Sequence, residues 1–153
     1  MKLVEIVPKD SIVLELNSRS KVEVLRELVD ALCNSKVELD SDEVVRALLE
    51  REKLGSTGIG EGVAIPHAKV NGLKKVVGTF GRSTGGVDFD ALDGMPVNLF
   101  FLLLAPADSA GAHLKALAKA SKMLKDPSLR ERLIAAKSRD EVFKVMEEVD
   151  KKD

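Results

Sequence analysis

Two histidines and one arginine are the residues of this 153-residue chain whose types and settings suit group-transfer chemistry. His67 ends the segment Gly62-Val63-Ala64-Ile65-Pro66-His67, directly after a loop dense in glycine at Gly58, Gly60 and Gly62. Pro66 disfavours helical geometry at Ile65 and has no N–H for a neighbouring strand, so the strand is expected to stop or reach an edge where His67 begins. That placement exposes the imidazole. His113, the second histidine, follows the capping residues Asp108 and Ser109 and so falls in the first turn of a helix, where free N–H groups and the positive dipole end favour an anion. Arg51, in the last turns of the helix before the loop, can bring its guanidinium fork to the same anion. Together these are a nucleophilic imidazole, a second imidazole and an arginine, which suits a phosphoryl group. The hydroxyls of Ser56 and Thr57 are further candidates for the same pocket, with capping of the loop as the alternative.

Competing readings of the same residues are weaker. The loop lacks the Gly-Lys-Ser/Thr of a P-loop, and it runs from helix to strand, the reverse of the dinucleotide fingerprint. A helix-to-strand turn that needs positive φ accounts for the glycines without any ligand. A lone histidine at a strand end is as often structural as chemical. Two histidines without a carboxylate ligand pattern do not make a metal centre, so neither metal nor cofactor is expected. Cys33, at the apolar end of a helix, reads as a core filler. Ile59, Val63 and Leu114 frame the histidines and suit either a docking surface or the core.

The elements that must position these residues can be read from periodicity and caps. Residues 12–16 are β-compatible and closed by turn formers at 17–20, giving a first strand. Ser20 with Glu23, then Asp40 with Glu43, open two helices whose apolar faces carry Val22, Leu25, Leu28, Val29 and Leu32, then Val44, Val45, Leu48 and Leu49. Residues 63–65 and 76–81 read as the next two strands, a hairpin or meander turning near Asn71 and Gly72. The continuous apolar stretch 97–105 is a central strand buried on both faces. Three helices follow, the last two opened by Asp126-Pro127 and by Ser138 with Glu141. The order is β-αα-βββ-ααα, an α+β fold in which a mixed sheet lies between helices as a three-layer α/β/α sandwich. Residues 1–150 form one domain and 151–153 a frayed tail.

Composition narrows the setting. Twenty-four basic against 25 acidic residues leave a net charge of −1 with no basic cluster, which argues against nucleic acid or a membrane surface as partner. The single cysteine allows no internal disulfide, the N-terminal residues lack a signal-peptide core, and no apolar run approaches the roughly 20 residues of a membrane helix. A cytoplasmic protein without membrane insertion is expected.

Arg51-Glu52, Ser56-Thr57-Gly58-Ile59-Gly60, Gly62 to His67, Phe80-Gly81-Arg82, Asp93-Gly94, Leu99-Phe100-Phe101 and Ala105-Pro106 strongly resemble the type-2 IIA domains of the bacterial phosphoenolpyruvate:sugar phosphotransferase system (PTS EIIA type-2). The likeness is to the fructose/mannitol and nitrogen-regulatory branch and covers nearly the whole chain. It implies that His67 accepts a phosphoryl group from phospho-HPr or its nitrogen-branch paralogue, with His113 and Arg51 assisting. It further implies that the group passes to a fructose-type IIB domain, or that phosphorylation controls binding to a regulatory target protein. The imidazole attacks in line and the protein stabilises charge on the moving oxygens, which requires no metal or nucleotide.

Overall fold

Local signals decide where the helices begin. A computed structural model describes residues 1–152 and contains helices α1 (Leu3–Ile6), α2 (Lys21–Asn34), α3 (Ser41–Lys53), α4 (Ala110–Lys125), α5 (Pro127–Ala135) and α6 (Arg139–Lys151). Its strands are β1 (Gly58–Gly60), β2 (Val63–Ala64), β3 (His67–Val70), β4 (Val77–Val87) and β5 (Val97–Pro106). Ser20 Oγ accepts the Glu23 N–H at 3.3 Å, Asp40 that of Glu43 at 3.2 Å, Asp126 that of Ser128 at 2.9 Å, and Ser138 that of Glu141 at 3.2 Å. Each such cap contributes about 1 kcal/mol by satisfying a backbone donor that has no partner within the helix.

Strand β5 holds the sheet together. It pairs in parallel with β2 and β3 on one side and antiparallel with β4 on the other, and β1 extends the sheet beyond β2. Alternation along β5 divides the core in two. Leu99, Phe101 and Leu103 face a cluster with α1 and α4–α6, while Phe100, Leu102 and Leu104 face a cluster with α2 and α3. The expected mixed sheet between helical layers is therefore present.

Several details differ from the sequence reading. Residues 12–16 form no regular strand but a single parallel bridge from Val13 to Gly81, with Leu16 N–H also donating to Arg82 O at 2.7 Å. The segment lies along the outer edge of β4, and Glu15 between those contacts spends its carboxylate on the N–H and hydroxyl of Thr84. Residues 63–65 and 76–81 do not form a hairpin, because β5 inserts between β3 and β4. Nor does Pro66 end its strand. Val63 pairs with Leu99 and His67 with Leu103 in one unbroken register, so β2 and β3 are one line interrupted at 65–66. Ser109 caps α4 by position but makes no side-chain cap bond. Helix α1 had no sequence signal. The expected tail is helical through Lys151, and Asp153 lies outside the described residues. Among the described residues no helix is long and apolar enough to cross a membrane.

Candidate functional site

The site forms at the β3 side of the sheet, where the C-terminal end of α3 and the N-terminal end of α4 meet. Val63 and Ile65 point into the α4–α6 core, and His67 continues that face two residues on. The interruption at Pro66 leaves Ile65 O to the imidazole, whose Nδ1 lies 2.8 Å from it. Arg51 Nε–H donates to the other ring nitrogen, Nε2, at 3.3 Å, while Arg51 Nη1 donates to Gly55 O at 2.8 Å. Assigned from these bonds, the neutral ring carries its proton on Nδ1 and its lone pair on Nε2.

His113 is brought in by β5. Three residues, 107–109, link the end of that strand to α4, so the helix starts beside β3. The two imidazoles meet edge to face with centroids 5.4 Å apart and planes at 70°. His113 is buried, and its Nε2 has no hydrogen-bond partner among the described residues. Burial pushes the pKa of both histidines below the ordinary value. For His67 the Arg51 charge adds to this while the Ile65 bond and the Glu52 charge oppose it; for His113 the charges of His67 and Lys69 add. Two largely neutral imidazoles thus sit beside a guanidinium and a helix N-terminus, an arrangement suited to an anion that an imidazole lone pair can attack.

The chain matches residues 5–149 of its length to the family described as "Phosphoenolpyruvate-dependent sugar phosphotransferase system, EIIA 2". The chain belongs to this family. This EIIA chain is 38% identical over 146 residues to a nitrogen regulatory protein of Bradyrhizobium diazoefficiens, covering 95% of each. It is also 38% identical to the fructose-specific EIIABC component of Bacillus subtilis, over 99% of this chain but only 24% of that protein. Among solved structures it resembles the nitrogen regulatory protein IIA-Ntr of Neisseria meningitidis, with TM-score 0.87, 40% identity, and 94% and 97% of the two chains covered. A complex of IIA mannitol with phosphorylated IIB mannitol from Escherichia coli matches with TM-score 0.74 and 26% identity over 91% of this chain and 95% of that one.

Three of the residues singled out in the EIIA sequence, Arg51, His67 and His113, thus converge. Ser56 and Thr57 are engaged elsewhere: Ser56 Oγ donates to Phe89 O at 2.8 Å and accepts the Gly58 N–H at 3.0 Å, and the Thr57 hydroxyl donates to Glu52. Their geometry fits the loop-capping alternative. Of the framing apolar residues, Val63 is core, whereas Leu114 and Ile59 are exposed. Glu52 belongs to the Arg51-Glu52 segment of the resemblance, but the sequence reading assigned it no role. It lies four residues beyond Leu48 on the buried stripe of α3, and an acidic residue on an apolar stripe was the available signal.

Proposed function

We propose that this EIIA chain is a phosphoryl carrier in which Nε2 of His67 accepts the group from the phosphohistidine of an HPr-like carrier protein and passes it to a fructose-type IIB domain. The observation that carries the reading is the hydrogen-bonding of the His67 ring: Nδ1–H is committed to Ile65 O, so the lone pair stands on Nε2 beside Arg51 and His113. In the transfer a bond forms from Nε2 to phosphorus as the donor's P–N bond breaks, its electron pair returning to the donor nitrogen. The His67 ring gains positive charge, which the Nδ1–H bond to Ile65 O accommodates. Arg51 turns its N–H groups to the phosphoryl oxygens, and the unpaired Nε2 of His113 gains a partner there. Exposed Leu54, three residues beyond Arg51, and exposed Leu114, next to His113, supply apolar contact area for the protein partners.

A second reading uses the same chemistry for regulation, the phosphorylation state of His67 controlling which target protein binds. The fold favours it through the TM-score of 0.87 to IIA-Ntr against 0.73 to the Escherichia coli IIA mannitol. Both readings share one test. On incubation with phosphoenolpyruvate, the general kinase of the system and an HPr-like carrier, the protein should gain one acid-labile phosphate by intact mass, and His67→Ala none. Full labelling of His67→Ala would refute the assignment.

A further inference from the structure

We infer that Glu52 is the positioning residue of this site, its buried carboxylate fixing the loop through which both nitrogens of His67 are held. The inference rests on the phosphoryl-transfer reading for its consequence and on geometry for its mechanism. The Glu52 side chain is only 4% exposed. Oε1 accepts the Thr57 N–H at 3.2 Å, Oε2 accepts the Thr57 hydroxyl, and Lys21 Nζ lies 3.2 Å from Oε1. Lys21 is itself held at 3.4 Å from Asp90 and 4.8 Å from the centroid of the Phe89 ring, so the counter-ion is fixed by the β4–β5 connection.

Two paths run from this residue to the imidazole, one from its carboxylate and one from its main-chain carbonyl. Along the first, Thr57, gripped by Glu52, accepts the Ile65 N–H on its carbonyl at 3.1 Å, and Ile65 O in turn holds His67 Nδ1. Along the second, the Gly55 N–H donates to the main-chain O of Glu52 at 3.1 Å, and Gly55 O takes Arg51 Nη1, which leaves Arg51 Nε on His67 Nε2; the carboxylate bears on this branch by fixing Thr57, two residues beyond Gly55. The loop between the two paths is also tied to Phe89 O through Ser56. Placing a carboxylate on an apolar stripe is costly unless its oxygens are satisfied, and here Thr57 and Lys21 satisfy both. A hydrophobic residue would fill the space but would release Thr57. The negative charge of Glu52 also acts on His67 in the direction opposite to that of Arg51.

The test compares wild type with Glu52→Gln, which keeps the shape and an acceptor for Thr57 but loses the charge and the Lys21 pair. Two readouts are followed: phosphoryl uptake from an HPr-like phosphocarrier, with kcat and KM separated, and nitrogen NMR of the His67 ring in the unphosphorylated protein. We expect kcat to fall roughly 10- to 100-fold with little change in KM, the scale of losses when a supporting residue lets a reacting group drift. The ring spectrum should move from a single Nδ1–H form toward a mixture of tautomers. Thr57→Val, which removes one hydroxyl from the same carboxylate, should move both readouts the same way by less, and it carries the test if Glu52→Gln does not fold. Unchanged kcat and an unchanged ring spectrum in a folded variant, with wild type taking up phosphate normally, would overturn the inference. Wild type taking up no phosphate would instead overturn the transfer reading, and the ring spectra alone would then decide whether Glu52 sets the tautomer.

Discussion

Replacing Asp150 by alanine should cost the protein about a quarter or more of an ordinary domain's stability, although the residue stands near the end of the described chain. Its side chain is 4% exposed; Oδ1 accepts the Leu3 N–H at 2.7 Å, Oδ2 accepts the Val4 N–H at 3.1 Å, and Lys119 Nζ lies 3.3 Å from Oδ1. It thus caps α1 from the other end of the sequence, where Lys2 at the N-cap position makes no side-chain cap bond. Hydrogen bonds to a charged group contribute about 1.5–3 kcal/mol each, and breaking a buried ion pair typically costs 3–5 kcal/mol. Lys119 retains the Met1 carbonyl, so the low end, about 3 kcal/mol, is the expected loss. At roughly 2.1 cal/mol/K of unfolding entropy per residue, 153 residues give about 0.3 kcal/mol/K and a fall in Tm of about 9 °C. Asp150→Asn keeps one acceptor and should lose about half as much. Calorimetry with urea titration reads both variants, and an Asp150→Ala melt within about 2 °C of wild type would refute the capping argument.

On the proposed mechanism Arg51→Ala and His113→Ala should each still take phosphate on His67, but roughly 10²–10³-fold more slowly in a rapid-quench assay, because each would remove a preorganised donor and leave the proposed nucleophile. The depressed pKa values of His67 and His113 mean that the folded protein binds fewer protons than the unfolded chain from those values up to about 6.5. Their contribution to stability is complete above that window and is lost as pH falls through it, so His67→Gln/His113→Gln should flatten the decline in urea midpoint between pH 7 and 5 relative to wild type. Gly78→Ala puts a Cβ 2.8 Å from Leu102 O, a backbone atom that cannot yield cheaply, whereas a Cβ at Gly85 meets nothing within 4 Å. The first should cost about 1–3 kcal/mol and the second close to nothing, read by the same urea titration.

What the sequence disclosed was what short-range chemistry dictates. Ser20, Asp40, Asp126 and Ser138 cap helices because the bond each makes spans only two or three residues, and residues 97–105 could only be an interior strand. The convergence of Arg51, His67 and His113 was also legible, since the motif around His67 is local and both partners lie at helix ends. Long-range pairing was not. Helix α1 depends on Asp150, 147 residues beyond Leu3. The separation of β3 from β4 depends on β5, which comes later in the chain than either and takes the place between them. The interruption at Pro66 looked like an end because sequence cannot tell a missing ladder bond from a finished strand. Glu52 was passed over for a related reason: its value lies in Thr57 and Lys21, and only the folded chain brings the lysine to it.

The position of β5 between the two halves of the core has a consequence for how the protein opens. Lifting α2 and α3 bares the side of β5 that carries Phe100, Leu102 and Leu104, yet leaves the other side covered and both ladders closed. Lifting α4 to α6 does the converse. The amides of residues 99–104 are therefore released to solvent only when the whole molecule comes apart, and they should be the slowest in the chain to exchange with deuterium, at the rate set by global unfolding. His67 hangs on that ladder through its pairing with Leu103, while Arg51 and His113 reach it from two layers that can each loosen alone. Local breathing can thus draw away either neighbour without moving the imidazole from its strand.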